Sequence, residues 1–375
     1  MRATRDVSSR GKVRFRAWLS RAPLGRSLLS ARSGLRGTYS IRRRVHREAA
    51  AITQALAINP NTRLRVVNDN AVSPPTYGNL FEVIMLARFL EAGGHRVEFD
   101  IVDSGDRRAD WGELDATAQT NFAHDQVALA RYLLPKPVVQ HMLSSPLRVE
   151  EQHAWNPALT LFSGAYDPPV YSLAPYLLHV LSTGRTRSIP AGFLLDANSF
   201  PISIQTPPPE QPYIAWHVRR GTWSPERNAT DSALASDLLQ LREIFPRHSI
   251  MLFSTPNGIE HALQVLSDEG LISDMERDGL AVVGQPETGF TAAVPWILGA
   301  DFYFQRIGGG MGIVPIYSSM PYLQINDWRS YYYGIDGDRL VPWARVNQQY
   351  IVRADAAKIP IREVINSSQY GELVK

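Results

Sequence analysis

The 375-residue sequence contains no cysteine. Disulfides and cysteine-ligated zinc are thereby excluded, and a chain without thiols suits a reducing compartment, so a cytoplasmic location is expected. No apolar run approaches the ~20 residues that a membrane-spanning helix needs. The basic N-terminus lacks the uninterrupted apolar stretch of a secretory signal. Strong compositional bias is missing too: 44% hydrophobic and 20% charged residues are globular values, neither disordered nor collagen-like. Neither the dinucleotide glycine fingerprint nor a Gly-Lys-Ser/Thr phosphate loop occurs.

Acidic residues are almost absent from one stretch. Residues 1–47 hold fourteen of the 39 Arg and Lys but one of the 36 Asp and Glu, Asp6, a local charge of about +13. The rest keeps 25 bases and 35 acids, about −10. The formal net charge of +3 therefore describes the tail and not the body, and no specific nucleic-acid partner is expected from it. Within the tail Phe15, Trp18, Leu19, Leu24, Leu28 and Leu29 recur at three- and four-residue spacing among Arg14, Arg16, Arg21 and Arg26. That spacing fits a cationic amphipathic helix on an anionic membrane surface, interrupted at Pro23. A solvated arm and a transit peptide fit the same composition.

The length exceeds one ordinary core, so two α/β domains are expected. Residues 64–67 (LRVV) read as a buried strand and 68–79 as a turn-rich loop. Residues 80–92 read as a helix closed by Gly93 and Gly94, and 95–102 as the next strand. One such βαβ unit implies a parallel sheet. From 124 to 200 the alternation weakens, with 158–163 strand-like and 169–181 helix-like. Five prolines among residues 200–212 mark a stiff linker. Beyond it strands are expected at 213–218, 249–254, 280–283, 301–305 and 322–325, alternating with helices at 231–245, 258–269, 290–299 and 311–319. The expected division is a basic tail at 1–47, an N-terminal Rossmann-like acceptor domain at 48–205 and a C-terminal Rossmann-like donor-nucleotide domain at 206–345. Residues 346–375 are expected to pack back on the N-terminal domain. The fold class is α/β, two Rossmann-like domains facing a cleft between the carboxyl ends of their sheets, where open sheets bind ligands.

Chemistry-bearing residues collect at those strand ends. His217, Val218, Arg219, Arg220 and Gly221 close the first strand of the second domain. Adjacent arginines point in different directions, and one guanidinium can offer a planar fork of donors to a diphosphate. The strand at 301–305 runs into Gly308, Gly309, Gly310, Met311 and Gly312 and then a helix, where close-approaching backbone amides favour phosphate. Ser254 and Thr255, and the loop at 286–291, are placed to meet a nucleoside. Tyr77, Gly78 and Asn79 open the first helix on the acceptor side, or form a plain β–α turn.

His217, Arg219 and Arg220 match the His-x-Arg-Arg pattern that resembles the α1,6- and protein O-fucosyltransferases, while the overall plan resembles the GT-B glycosyltransferases. In the fucosyltransferases an arginine grips the β-phosphate of GDP-fucose, and an Asp often follows; here Thr222 and Trp223 follow instead. The resemblance implies a nucleotide-sugar donor, a GDP-sugar favoured, a glycan or lipid-linked acceptor, inverting chemistry and no cofactor. It places His217, Arg219, Arg220, Ser254, Thr255, Gly309, Gly310, Met311 and Gly312 on the donor. Arginines and helix-end amides can stabilise a leaving diphosphate without a metal, so no metal ligands are expected. Glu226 is the first candidate for the catalytic base, with Asp69 and Asp103 as rivals. Polysaccharide pyruvyltransferase, which shares the plan, and a non-catalytic sugar- or lipid-binding scaffold are the alternatives. Location at the inner membrane face would suit the basic tail.

Overall fold

The computed structural model describes most positions of residues 52–134, then 142–143, 160–163, parts of 190–195, 212–220, most of 228–326, 349–353 and 361. The chain divides into two units, residues 1–47 and 48–375. The basic tail, the proline-rich stretch at 201–211 and the helix expected at 169–181 lie outside the described residues.

The N-terminal sheet contains β1 (Arg63–Asp69), β2 (Arg96–Val102), β3 (Met142–Leu143) and β4 (Thr160–Ser163) in the order β3-β2-β1-β4. Every pairing is parallel. Parallel neighbours need crossovers, and α1 (Tyr77–Ala92) supplies the one from β1 to β2. Thr76 caps its start, accepting from the Asn79 amide at 3.4 Å. Gly93 and Gly94 end it as expected; Gly94 sits at φ 90°, which a side chain would strain. Every residue of α1 from Leu80 to Glu91 is buried. A helix apolar all round has no solvent face and belongs inside a core. The second helix, α2 (Ala116–Leu133), was not expected: its sequence is mostly small and polar, and six residues including Phe122, Leu129 and Leu133 carry its buried side.

The C-terminal sheet contains β5 (Tyr213–His217), β6 (Ser249–Phe253), β7 (Val282–Gly284), β8 (Phe302–Arg306), β9 (Tyr322–Asn326) and β10 (Gln349–Arg353). Its order is β10-β9-β8-β5-β6-β7, again parallel throughout. Counted from β5, that is the doubly wound 3-2-1-4-5-6 order, whose crevice opens where the order reverses, between β5 and β8. Residues 349–353, expected on the N-terminal domain, instead pair with β9 at the sheet edge. Ile361 likewise enters the C-terminal core, and its amide donates to Gln240 Oε1 at 2.6 Å. An unpaired parallel edge strand offered the segment a ladder of backbone partners that the sequence pattern did not reveal.

The helices of this half are α3 (Asp231–Ile244), α4 (Pro256–Asp268), α5 (Leu271–Arg277), α6 (Phe290–Leu298) and α7 (Ile313–Ile316), the last preceded by a 3-10 turn at Gly310–Gly312. Alternating residues of the sheet go to two different cores. Ile214, Trp216, Ile250, Leu252, Phe302 and Phe304 pack against α3, α4 and α5. Tyr213, Ala215, Met251, Phe253, Tyr303 and Tyr322 join α6, α7, α1, α2 and the N-terminal sheet in one continuous core. The seam carries paired side chains: Tyr77 stacks on Phe290 with centroids 4.7 Å apart, and Tyr317 donates to Glu82 at 2.6 Å. Burial and the Glu82 charge hold the Tyr317 hydroxyl well above its ordinary range. Buried Arg88 donates to the carbonyls of Leu133 and Phe193 at 2.9 and 2.7 Å, tying α2 and the 192–195 segment to α1. Leu195 in turn donates from its amide to Tyr317 at 2.8 Å.

Candidate functional site

The crevice at the β5–β8 reversal is built from strand ends, a helix start and a glycine turn. His217 ends β5 and pairs in register with Phe253 of β6 and Gln305 of β8. It is buried, and desolvation, with the Arg219 charge adding and a Gln305 hydrogen bond opposing, pushes its imidazole down to about 4. The ring is therefore neutral near pH 7. Arg219 and Arg220 follow, both half-buried. Their backbone is anchored: the Arg219 carbonyl accepts from the Ala229 amide at 3.2 Å, and the Arg220 carbonyl accepts from the Thr255 hydroxyl at 3.2 Å. Thr255 also caps α4, accepting from the Gly258 amide at 3.2 Å. One exposed threonine thus ties the arginine backbone to the first turn of a thirteen-residue helix, where partial positive charge gathers. Ser254 beside it is buried, and Gly258 has no room for a side chain: an added Cβ would stand 2.2 Å from Ser254 Oγ.

The glycine turn closes the other side. Gly312 is wedged between two amide side chains, since an added Cβ would lie 2.3 Å from Gln305 Oε1 and 2.8 Å from Gln324 Nε2. Gln324 donates to the Gly312 carbonyl at 2.5 Å, and Tyr303 donates to Gln305 at 2.7 Å. His217, Gln305 and Gln324 are consecutive partners across β5, β8 and β9, a buried polar row under the turn. Gly310 approaches the other domain: its added Cβ would be 3.7 Å from the Gly78 amide nitrogen and 3.9 Å from Tyr77 Cβ. The glycine turn thus meets the first turn of α1, and Met311 between Gly310 and Gly312 is half-buried.

Arg306, two residues before the glycines, is spent elsewhere. Its guanidinium makes a buried fork with Asp237 of α3, with Nε donating at 2.8 Å and Nη2 at 2.6 Å. Burial pushes the Asp237 carboxyl up while Arg306 pulls it down.

Tyr77 is an interface residue. Its ring lies between Phe290 and Phe122, and its hydroxyl donates to Asp125. Gly78 and Asn79 lie in the first turn of α1, Asn79 bonded back to Thr76 at 2.7 Å. Asp69 ends β1, buried, and Asp103 directly follows β2, half-buried; Asp69 pairs in register with Val102, so both sit on the carboxyl edge of the N-terminal sheet. Behind them Asn70 and Gln126 exchange amide hydrogen bonds at 2.9 and 3.2 Å, a contact that sequence reading missed because its partners are 56 positions apart. Glu226 and Gly309 lie outside the described residues. So does an Asp-x-Asp pair, Asp336 and Asp338, which the metal-free expectation passes over. Among the described residues no group of three or more His, Asp or Glu could hold a metal ion. No described helix is long and apolar enough to cross a membrane.

The described architecture is an α/β protein of two Rossmann-like sheets. No protein-family model matches the sequence, and no curated protein matches it. Among solved structures, the glycosyl transferase family 9 protein from Veillonella parvula aligns with 83% of this chain and 90% of its own at 12% identity and a TM-score of 0.41. UDP-GlcNAc 2-epimerase from Methanocaldococcus jannaschii, solved with UDP-GlcNAc and UDP, aligns with 82% and 94% at 10% identity and a TM-score of 0.33. The C-terminal domain of a glycosyl transferase group 1 family protein from Francisella tularensis aligns with 44% and 78% at 12% identity and a TM-score of 0.26. Likeness this low carries no argument about activity. The two-Rossmann assignment rests on the chain's own sheet orders.

Proposed function

We propose that this protein is a GT-B glycosyltransferase that moves a sugar from a nucleotide-sugar donor to a glycan or lipid-linked acceptor. One observation carries the reading. At the carboxyl edge of the C-terminal sheet, Arg219 and Arg220 follow β5, Thr255 at the α4 start bonds the Arg220 carbonyl, and the Gly310–Gly312 turn follows the adjacent β8 and abuts Gly78 of the other domain. A diphosphate bound there meets guanidinium donors and helix-end amides, which stabilise the charge developing on a leaving nucleoside diphosphate. Its sugar would point toward the N-terminal edge carrying Asp69 and Asp103, the candidate bases beside Glu226. A GDP-sugar, GDP-fucose included, is the donor favoured by the His-x-Arg-Arg resemblance, with inversion and metal independence as its corollaries. Residues 1–47 would hold the protein to an anionic membrane surface.

The test is a thermal-shift screen with GDP, UDP, ADP, CMP and dTDP on the full chain and on Arg219→Ala and Arg220→Ala. A ligand of the native state raises the melting temperature. The expected result is a shift with one nucleotide, lost in at least one arginine variant, and turnover that survives chelation. A folded protein that responds to none of them would shift the assignment to a phosphoenolpyruvate-dependent transferase or a scaffold.

A further inference from the structure

Arg220 is half-buried, yet among the described residues its guanidinium meets no acid and no hydrogen-bond acceptor. Other arginines withdrawn from solvent are taken: Arg65 holds Glu98 and Asp100, Arg242 holds Asp278, Arg306 holds Asp237, and Arg88 holds the carbonyls of Leu133 and Phe193. The charge of Arg220 is left for something else, and its backbone is tied to the start of α4.

α4 by itself offers an anion little. Pro256 at its first position has no N–H, the Thr255 hydroxyl takes the Gly258 amide at 3.2 Å, and the Thr255 carbonyl takes the Ile259 amide at 2.9 Å. Among the described residues the open donor of that first turn is the Asn257 amide. One amide at a helix end holds a phosphate weakly, and a guanidinium beside it adds a charged fork of donors. Thr255 joins the two. Its hydroxyl gives its only hydrogen to the Arg220 carbonyl at 3.2 Å while a lone pair accepts from Gly258. With that hydrogen committed, Thr255 has no side-chain donor left for a phosphate oxygen. The chain ahead of Arg220 is pinned through the Val218 amide and the Arg219 carbonyl, and the Thr255 bond pins Arg220 itself. We propose that Thr255 is a positioning residue and not a nucleoside contact: its hydroxyl sets Arg220 beside the α4 start, so that the guanidinium and the Asn257 amide serve one phosphate of the donor. This rests on the donor-site reading above and deepens it.

The experiment is calorimetric titration of GDP, UDP, ADP and dTDP into the full chain, Thr255→Ser, Thr255→Gly, Thr255→Val, Arg220→Ala and the Arg220→Ala, Thr255→Val double variant. Thr255 is exposed, so these variants should fold. For the diphosphate that binds wild type, Thr255→Ser keeps the hydroxyl and should stay within about twofold. Thr255→Val loses both bonds, and Thr255→Gly loses the tether while remaining a tolerated cap. Each should weaken binding about tenfold, one hydrogen bond's worth. A role in capping alone would spare the Gly variant. In the Arg220→Ala background Thr255→Val should add nothing, because the side chain that it places is gone. Wild-type affinity in Thr255→Gly, a Ser variant as weak as the Val one, or losses that multiply in the double variant would each overturn the proposal and leave the donor-site reading standing. A wild type that binds none of the four diphosphates overturns both.

Discussion

The carboxyl edges of the two sheets share a strand order and differ in chemistry. The N-terminal sheet runs β3-β2-β1-β4, and the same four-strand pattern recurs in the other as β7-β6-β5-β8. At the end of β1 the described polar groups are neutral amides and acids: Asn68, Asn70, Gln126, Asp69 and Asp103. At the end of β5 stand His217 and two arginines, with a helix cap and a glycine turn around them. Sheet topology therefore makes two carboxyl edges, and side chains at a handful of strand ends make one cationic and line the other with amides and carboxylates. The difference extends below the surface, since the basic side is braced by a buried ion pair and the N-terminal side by a reciprocal amide pair.

Breaking the ion pair should have the largest effect. Asp237→Ala removes the carboxylate that the Arg306 fork grips and leaves a buried guanidinium without its counter-charge. We expect a loss of about 3–5 kcal/mol, read from the urea unfolding midpoint. An unchanged midpoint would mean that the basic edge needs no brace.

Acid should separate the edges next. His217 is held at about 4 in the folded chain against an ordinary 6.5, so the unfolded chain binds its proton first as pH falls. Stability from this group is complete above about pH 6.5 and lost progressively toward pH 4, roughly 3 kcal/mol in all. His95, also lowered by burial, adds a slope of the same sign from the N-terminal half. Urea titrations across that range on wild type and His217→Asn should show the slope shrinking but not vanishing in the variant.

Gly312→Ala comes third. The new methyl meets Gln305 and Gln324 inside contact distance, and overpacking of this kind costs about 1–3 kcal/mol. Nucleotide affinity should fall with it, because the turn must move. The smallest expected effect is on the N-terminal edge. Gln126→Ala strands the Asn70 amide and should cost about 1–2 kcal/mol while leaving the nucleotide thermal shift intact. Loss of that shift would show that the two edges are one functional unit.

Most of the described strands and several helices were legible in the sequence, because burial on both faces makes short apolar runs and turn residues punctuate them. β5, β6, β8 and β9 fall within a residue or two of expectation. α2 was missed because a helix with one narrow buried stripe and many alanines and polar residues carries little periodic signal. β10 was assigned to the other domain because an edge strand takes its identity from the neighbour that it pairs with. Of the site, His217, the arginines and Gly312 were visible as local strings. Gln305, Gln324 and Tyr303 were not, since nothing in a strand's own pattern marks Gln305 as the residue that will pair with a histidine 88 positions earlier.

The sequence alone determined the alternation of strands and helices, the basic tail on an acidic body, and the places where glycine and arginine gather at strand ends. These follow from local sterics, burial periodicity and charge counting, each readable within a few residues. Only the tertiary structure decided that α1 is buried on all sides between two sheets, that Tyr77 belongs to the seam instead of an open pocket, that Arg306 serves Asp237, and that Nδ1 of His217 is left without a partner. Hydrogen bonds and buried contacts join residues far apart in the chain, and their partners exist only once the two sheets have brought them together.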